Sequence, residues 1–182
     1  MPTELNATLR EVSARLVAWG MTSEADRDKI LTEEGDQADH PGEYDWADVF
    51  ELFDLGLYVS AGDGEADDLE ETYQDLLEEL AGLSGRTVTE VELGEDEDGE
   101  ELLTFVLDGE EFAWEVEHLS PGQLDMLSIW ECVGDLEPDD GRVFFHTRGD
   151  VDGEWSESLY VLARPAQVAT LKEEYGLELD PV

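Results

Sequence analysis

Apolar positions recur along this chain with two periods, and they are densest between Glu101 and Gly134. Alternation on either side of Asp108-Gly109 predicts a β-hairpin, because Asp and Gly tolerate the positive φ that a two-residue type I′ turn requires. That turn sets Phe105 opposite Phe112 and Leu103 opposite Trp114, which places aromatic and aliphatic cross-strand pairs on one face. Ser120-Pro121 then reads as a helix cap followed by Pro at the first helical position, with Gly134 at the far end. Met126, Ile129, Trp130 and Val133 recur at helical spacing and are expected to lie over the hairpin.

The period of 3.6 dominates the N-terminal third. Leu5, Leu9, Val12, Leu16 and Trp19 form one stripe, with Thr3 as the expected cap and Gly20 as the stop. A weaker helix is expected over 23–33 with Ser23 as cap, followed by an acidic loop at 34–42. From Asp45 a third helix presents Trp46, Val49, Phe50 and Phe53 and is expected to end at Gly56. Leu57-Tyr58-Val59 reads either as a short strand or as a buried continuation. Residues 61–68, AGDGEADD, are a linker by composition.

The clearest helix spans 67–83, with Leu69, Tyr73, Leu76, Leu77, Leu80 and Leu83 on one face. A strand at Thr87–Leu93 and a loop at 94–101 lead into the hairpin. Beyond the central helix, strands are expected at Arg142–Thr147 and Trp155–Leu162, joined through Asp150, Asp152 and Gly153. Pro165 opens a last helix that turns Val168, Leu171 and Tyr175 inward and closes at Gly176. Hairpin connections predict an α+β class, a mainly antiparallel sheet of about five strands packed with helices. Residues 65–182 make the α+β core. Residues 1–60 form an N-terminal helical segment that either stands as a subdomain or packs on the sheet.

Composition narrows the class of molecule. At 182 residues with 41% hydrophobic content, a single core is expected rather than a disordered acidic tail. No apolar run is long enough to span a bilayer, and no basic segment precedes an apolar one at the start. Cys132 is the only cysteine, so no internal disulfide forms, and a reducing cytoplasm is the expected compartment.

The formal net charge of −41 changes the picture most. It repels nucleic acid and anionic membranes, which excludes direct nucleic-acid or membrane binding, and it costs stability through self-repulsion. The acids are not spread evenly. Residues 1–29 carry five acids against four bases, and residues 142–182 carry eight against four. Residues 30–141 hold the other thirty-seven acids and a single base, Arg86. Clustering of this kind points to a surface that faces a basic partner, whereas salt adaptation would coat the chain uniformly.

The helix over 67–83 carries Asp68, Glu71, Asp75 and Glu79 in one row, and the loop beyond it carries Glu95, Asp96, Glu97, Asp98 and Glu100. Like charges at i,i+4 destabilise an isolated helix by about 0.2–0.5 kcal/mol per pair. No Lys relieves them here, so these nine acids are the candidate contacts. A solvated face in an acidic protein is the plainer alternative.

Catalytic and metal signatures do not emerge. His40, His118 and His146 have no Cys or His at zinc-ligand spacing, and no nucleophile elbow, phosphate-binding glycine loop or HExxH occurs. Asp96, Asp98, Gly99 and Glu100 lack the register of an EF-hand loop. Neither enzymatic activity nor a cofactor or metal is expected.

The element order over roughly 65–176 (a helix, three strands, a helix, two strands, a helix) resembles that of the type III secretion chaperones, which are small, acidic, cytoplasmic dimers. The additional N-terminal helices depart from it. This likeness implies an adaptor that homodimerises, with Met126 and Trp130 the place to look for a self-complementary patch. In size and charge the chain is also similar to small acidic immunity proteins. The leading expectation is a cytoplasmic, monomeric binding or immunity protein that occludes the basic active site of a toxin or nuclease as a nucleic-acid mimic. The secretion-chaperone adaptor and a salt-adapted protein of hidden role are the alternatives.

Overall fold

The computed structural model describes residues 5–62, 68–118, 120, 122–151 and 154–182. The first helix, α1, spans Leu9–Ala18 and is capped by Thr8, whose side chain accepts from Glu11 N while Glu11 answers to the Thr8 amide. The expected cap Thr3 lies outside the described residues, and Leu5 is buried ahead of the helix rather than within it. Helix α2, Glu24–Glu34, starts at the expected Ser23 cap. The acidic segment after it contains a 3-10 turn, Gly35–Asp39, which buries Ala38. Helix α3, Trp46–Leu52, begins on an Asp45 capping box.

Gly56 does not stop α3. It opens strand β1, Gly56–Ser60, which settles the two readings of Leu57-Tyr58-Val59 in favour of a strand. A side chain at Gly56 would place its Cβ 2.6 Å from the Tyr160 carbonyl oxygen and 3.0 Å from the Phe50 Cβ. Glycine is therefore required by close packing of α3 over the sheet, not by a helix end.

Helix α4, Leu69–Ser84, runs from an Asp68 cap to a left-handed Gly85. Strands β2 (Val88–Glu95), β3 (Glu101–Leu107) and β4 (Glu110–Glu115) follow as an antiparallel meander. The β3–β4 register is the expected one: Phe105 pairs Phe112, Leu103 pairs Trp114, and Asp108 and Gly109 take φ of 51° and 91°.

The next helix differs from expectation. Helix α5 is confined to Met126–Cys132, with Asp125 as cap, and runs into a 3-10 turn, Val133–Leu136, that contains Gly134. The Asp125 carboxylate accepts from both Leu127 N and Ser128 N and so starts the helix five residues after Ser120. The expected first helical residue, Pro121, lies outside the described residues.

Strands β5 (Val143–Val151) and β6 (Glu154–Ala163) pair antiparallel and run longer than their apolar runs suggest. Helix α6 (Pro165–Tyr175) has Pro at its start and a left-handed Gly176 at its end, and a two-residue strand β7 (Asp180–Pro181) closes the chain.

The class is α+β and every strand pairing is antiparallel, but the strands divide into two sheets: β1-β6-β5-β7 and β2-β3-β4. The four-stranded sheet is buried on both faces. Leu159, Val161 and Ala163 of β6 and Phe145 of β5 join one core with α1, α3 and α6. Tyr160, Leu162 and Phe144 point the other way and join α4, α5 and the three-stranded sheet. A strand that must satisfy two cores cannot alternate apolar with polar, which is why SLYVLA reads as one continuous apolar run. No helix among the described residues is long and apolar enough to cross a membrane.

Candidate functional site

Helix α4 contacts both sheets, packing against β2 on one flank and β1 on the other. Its inner face buries Tyr73, Leu76, Leu77, Leu80 and Ala81. The opposite face is exposed and carries Glu71, Asp75, Glu78 and Glu79 with no base among them. Asp68, expected on this ridge, serves instead as the helix cap, where its carboxylate accepts from Glu71 N at 3.1 Å. There it also complements the positive end of the helix dipole.

The loop acids divide in the same way. Asp96 folds the β2–β3 turn upon itself, its Oδ1 accepting from Asp98 N at 2.8 Å and Glu100 N at 3.0 Å. Glu97, Asp98 and Glu100 are exposed around that turn. Glu95 lines a groove of about 440 Å³ with Glu70 and Glu92, where the Glu70 carboxylate accepts from Leu93 N at 2.9 Å. At the other end of α4, Glu79 lines a groove of about 740 Å³ with Glu51, Asp54, Gly56, Leu57, Tyr58, Gly82 and Leu83. The ridge therefore runs between two acid-lined grooves. Glu51, Asp54, Glu70 and Glu92 are the residues that sequence reasoning passed over. Segments remote in sequence meet there, so no local period could have marked them.

The only base of the central segment is consumed by structure. Arg86 Nε donates to Asp108 at 2.8 Å, and its Nη1 donates to the carbonyls of Asp135 and Glu137. This guanidinium holds the Asp108 carboxyl below the usual range, aided by the Thr87 amide. It ties the hairpin to the end of α5 and leaves the ridge uncompensated.

A second polar chain lies beneath the ridge. Asp125 N donates to the Tyr73 hydroxyl at 2.9 Å, and that hydroxyl is hydrogen-bonded to His118 Nε2 at 3.0 Å. On the other side of the ring, His118 Nδ1 is hydrogen-bonded to Glu101 Oε2 at 3.0 Å. The Glu101 carboxyl is held below its ordinary value, first by the His118 backbone amide and then by the ring. Burial pushes the Tyr73 phenol far up. With the His118 side chain 7% exposed and Tyr73 fully buried, only the Glu101 end of this polar chain reaches solvent. It fixes α4, the start of β3 and the α5 cap relative to one another.

Among the described residues, no group of three or more His, Cys, Asp or Glu is arranged to hold a metal ion. Cys132 is half-buried, and burial with Asp135 and Glu131 pushes its thiol up, away from thiolate chemistry. Met126, half of the expected dimer patch, is buried in the core that also holds Phe105 and Trp114; Leu127 is the exposed apolar residue of α5. No protein-family model matches the chain, and no curated protein or solved structure is detectably similar to it.

Proposed function

We propose that this chain is a non-catalytic, cytoplasmic binding protein that occludes a basic surface of a protein partner, of the kind a nuclease or other nucleic-acid-binding toxin presents. The observation that carries the reading is the α4 ridge: four exposed carboxylates on a helix whose other face is locked in a core, with the neighbouring Arg86 and Arg142 already paired with Asp108 and Asp140. From Glu71 to Glu79 the helix rises about 12 Å, so the four carboxylates of the ridge are spaced by about 4 Å on average along the axis. A single DNA strand places one per about 3.4 Å, so a groove shaped for a phosphate backbone meets a similar linear charge here. Such complementarity speeds encounter and sharpens partner choice, as neutralising a toxin demands.

The test is a reversal of Glu71, Asp75, Glu78 and Glu79 to Lys, compared with the same reversal of Glu173, Glu174, Glu178 and Asp180 around α6. A basic protein from the source cell should bind the wild type and the α6 variant and be lost by the ridge variant. The wild-type chain should inhibit that protein's cleavage of nucleic acid. Equal loss from both variants would reduce the charge to a bulk effect and end the reading.

A salt-adapted coat is the second reading, supported by exposed acids elsewhere, such as Glu33, Asp36, Glu110 and Glu111. It predicts a chain that unfolds near 50 mM salt and recovers at about 1 M, where screening shortens to about 3 Å. A partner-binding chain should melt cooperatively at both.

A further inference from the structure

We propose that the groove between α3 and α4 receives an extended cationic segment of the partner, laid along the outer edge of β1. This rests on the reading that the chain binds a basic protein, and it names where the specific part of that contact falls. Both grooves that flank α4 set acids against an edge strand; this one is the larger, with Glu51 and Asp54 on one wall and Glu79 on the other.

Its edge geometry follows from register. Leu162 N donates to Leu55 O and Ala61 N to Ser156 O, so the odd-numbered residues of β1 bond β6 and Tyr58 points its amide and carbonyl away from the sheet. The Tyr58 amide is held by Glu51 Oε1 at 3.0 Å, and the carbonyl faces the same side. Half-buried Leu57, Tyr58 and Leu83 line the groove between the carboxylates. A Lys or Arg side chain suits such a lining, with its methylene stem on apolar surface and its charged head on a carboxylate. An extended backbone can donate an amide to the outward Tyr58 carbonyl and send alternate side chains to each wall. Arg142 reaches the Leu83 carbonyl but is paired with Asp140, and no base lines the groove among the described residues. A second copy of this chain, at a net charge of −41, is the wrong occupant.

The experiment follows backbone amide shifts of the isotopically labelled full chain titrated with a short peptide of alternating Arg and Val. Shifts should centre on Gly56, Leu57, Tyr58 and Gly82. The variant Glu51→Gln/Asp54→Asn/Glu79→Gln keeps an acceptor for the Tyr58 amide, and Asn tolerates the φ of 51° at position 54. Three weak pairs removed should lower peptide affinity about tenfold. The equally neutralised Glu71→Gln/Asp75→Asn/Glu78→Gln should lose no more than about twofold, since it retains all three groove carboxylates.

Equal losses, or shifts centred on Glu70 and Leu93, would overturn the proposal while leaving an acidic binding surface in place. No binding of the peptide to any part of the chain would overturn both. Shifts at Gly56–Tyr58 on concentrating the protein alone would assign the groove to a second copy and likewise overturn it.

Discussion

Helices α1 and α6 and helices α3 and α4 do the same structural work with opposite surface chemistry. Each pair covers the four-stranded sheet and buries its inner face to near-zero exposure. Yet α1 and α6 together carry three bases and three acids, whereas α3 and α4 carry seven acids and no base. Arg15 pairs Glu174 across the first pair of helices, Arg10 pairs Asp39, and Lys172 pairs Glu178. The fold tolerates balanced charge where balanced charge is encoded. Acidity at α3 and α4 is thus a property of that surface and not a demand of the architecture, and it converges on the edge of β1.

If the contrast is confined to the surface, equivalent core truncations should cost the same on either side. Leu16→Ala in α1 and Leu77→Ala in α4 each empty a fully buried site and should each cost about 2–5 kcal/mol. Because Tyr160 and Val161 serve opposite cores from one strand, both variants should melt in a single transition by circular dichroism and by tryptophan fluorescence. Two separated transitions would show that the halves are independent.

Smaller effects are expected at the caps. Thr8→Ala on α1 and Asp68→Ala on α4 each remove a side-chain acceptor and should cost about 1 kcal/mol in chemical denaturation. Asp68→Ala also removes a charge that repels Glu71 and complements the helix dipole, so its cost should change with salt while that of Thr8→Ala does not. Matching salt dependence would erase the contrast between the two pairs.

The smallest effect concerns pH. Hydrogen bonds hold Glu101 and Asp108 below their ordinary values, so each contributes stability that is present above the ordinary carboxylate range. That contribution is lost as pH falls through the lowered pKa. Melting of Glu101→Gln and Asp108→Asn should therefore depend less steeply on pH below about 4 than the wild type does. A slope unchanged in both would mean that these carboxylates do not titrate with folding.

Much of this fold was legible in the sequence where the determinants are local. Asp108-Gly109 dictates a turn, the turn dictates the register, and Phe105 meets Phe112 as its spacing requires. Ser23, Asp45, Pro165 and Gly176 mark helix ends by chemistry that acts within one turn. Gly56 and Ser120 misled because their local chemistry is ambiguous: a glycine suits a helix end or a tight approach, and an equally good cap, Asp125, lay five residues downstream. The division into two sheets was invisible, since it depends on β1 pairing with β6 across most of the chain. The ridge could be read from helical spacing alone. Its grooves could not, because Glu51 and Glu79 come together only when α3 and α4 pack around β1.

The pairing of β1 with β6 also constrains the order in which the molecule can assemble. The β2–β3–β4 meander closes through two short turns, so its loop-closure entropy is small and it can form as soon as it is synthesised. Helices α1 and α3 leave the ribosome earlier, but their core lacks Leu159, Val161 and Ala163 until β6 emerges. Topology of that kind slows folding, because distant contacts must be closed before they repay their entropy. Pulse-labelled hydrogen exchange during refolding should find the amides of β3 protected before those of β1. The edge that faces the acidic groove would then be among the last parts of the sheet to take shape, and the groove would be complete only once folding is nearly over.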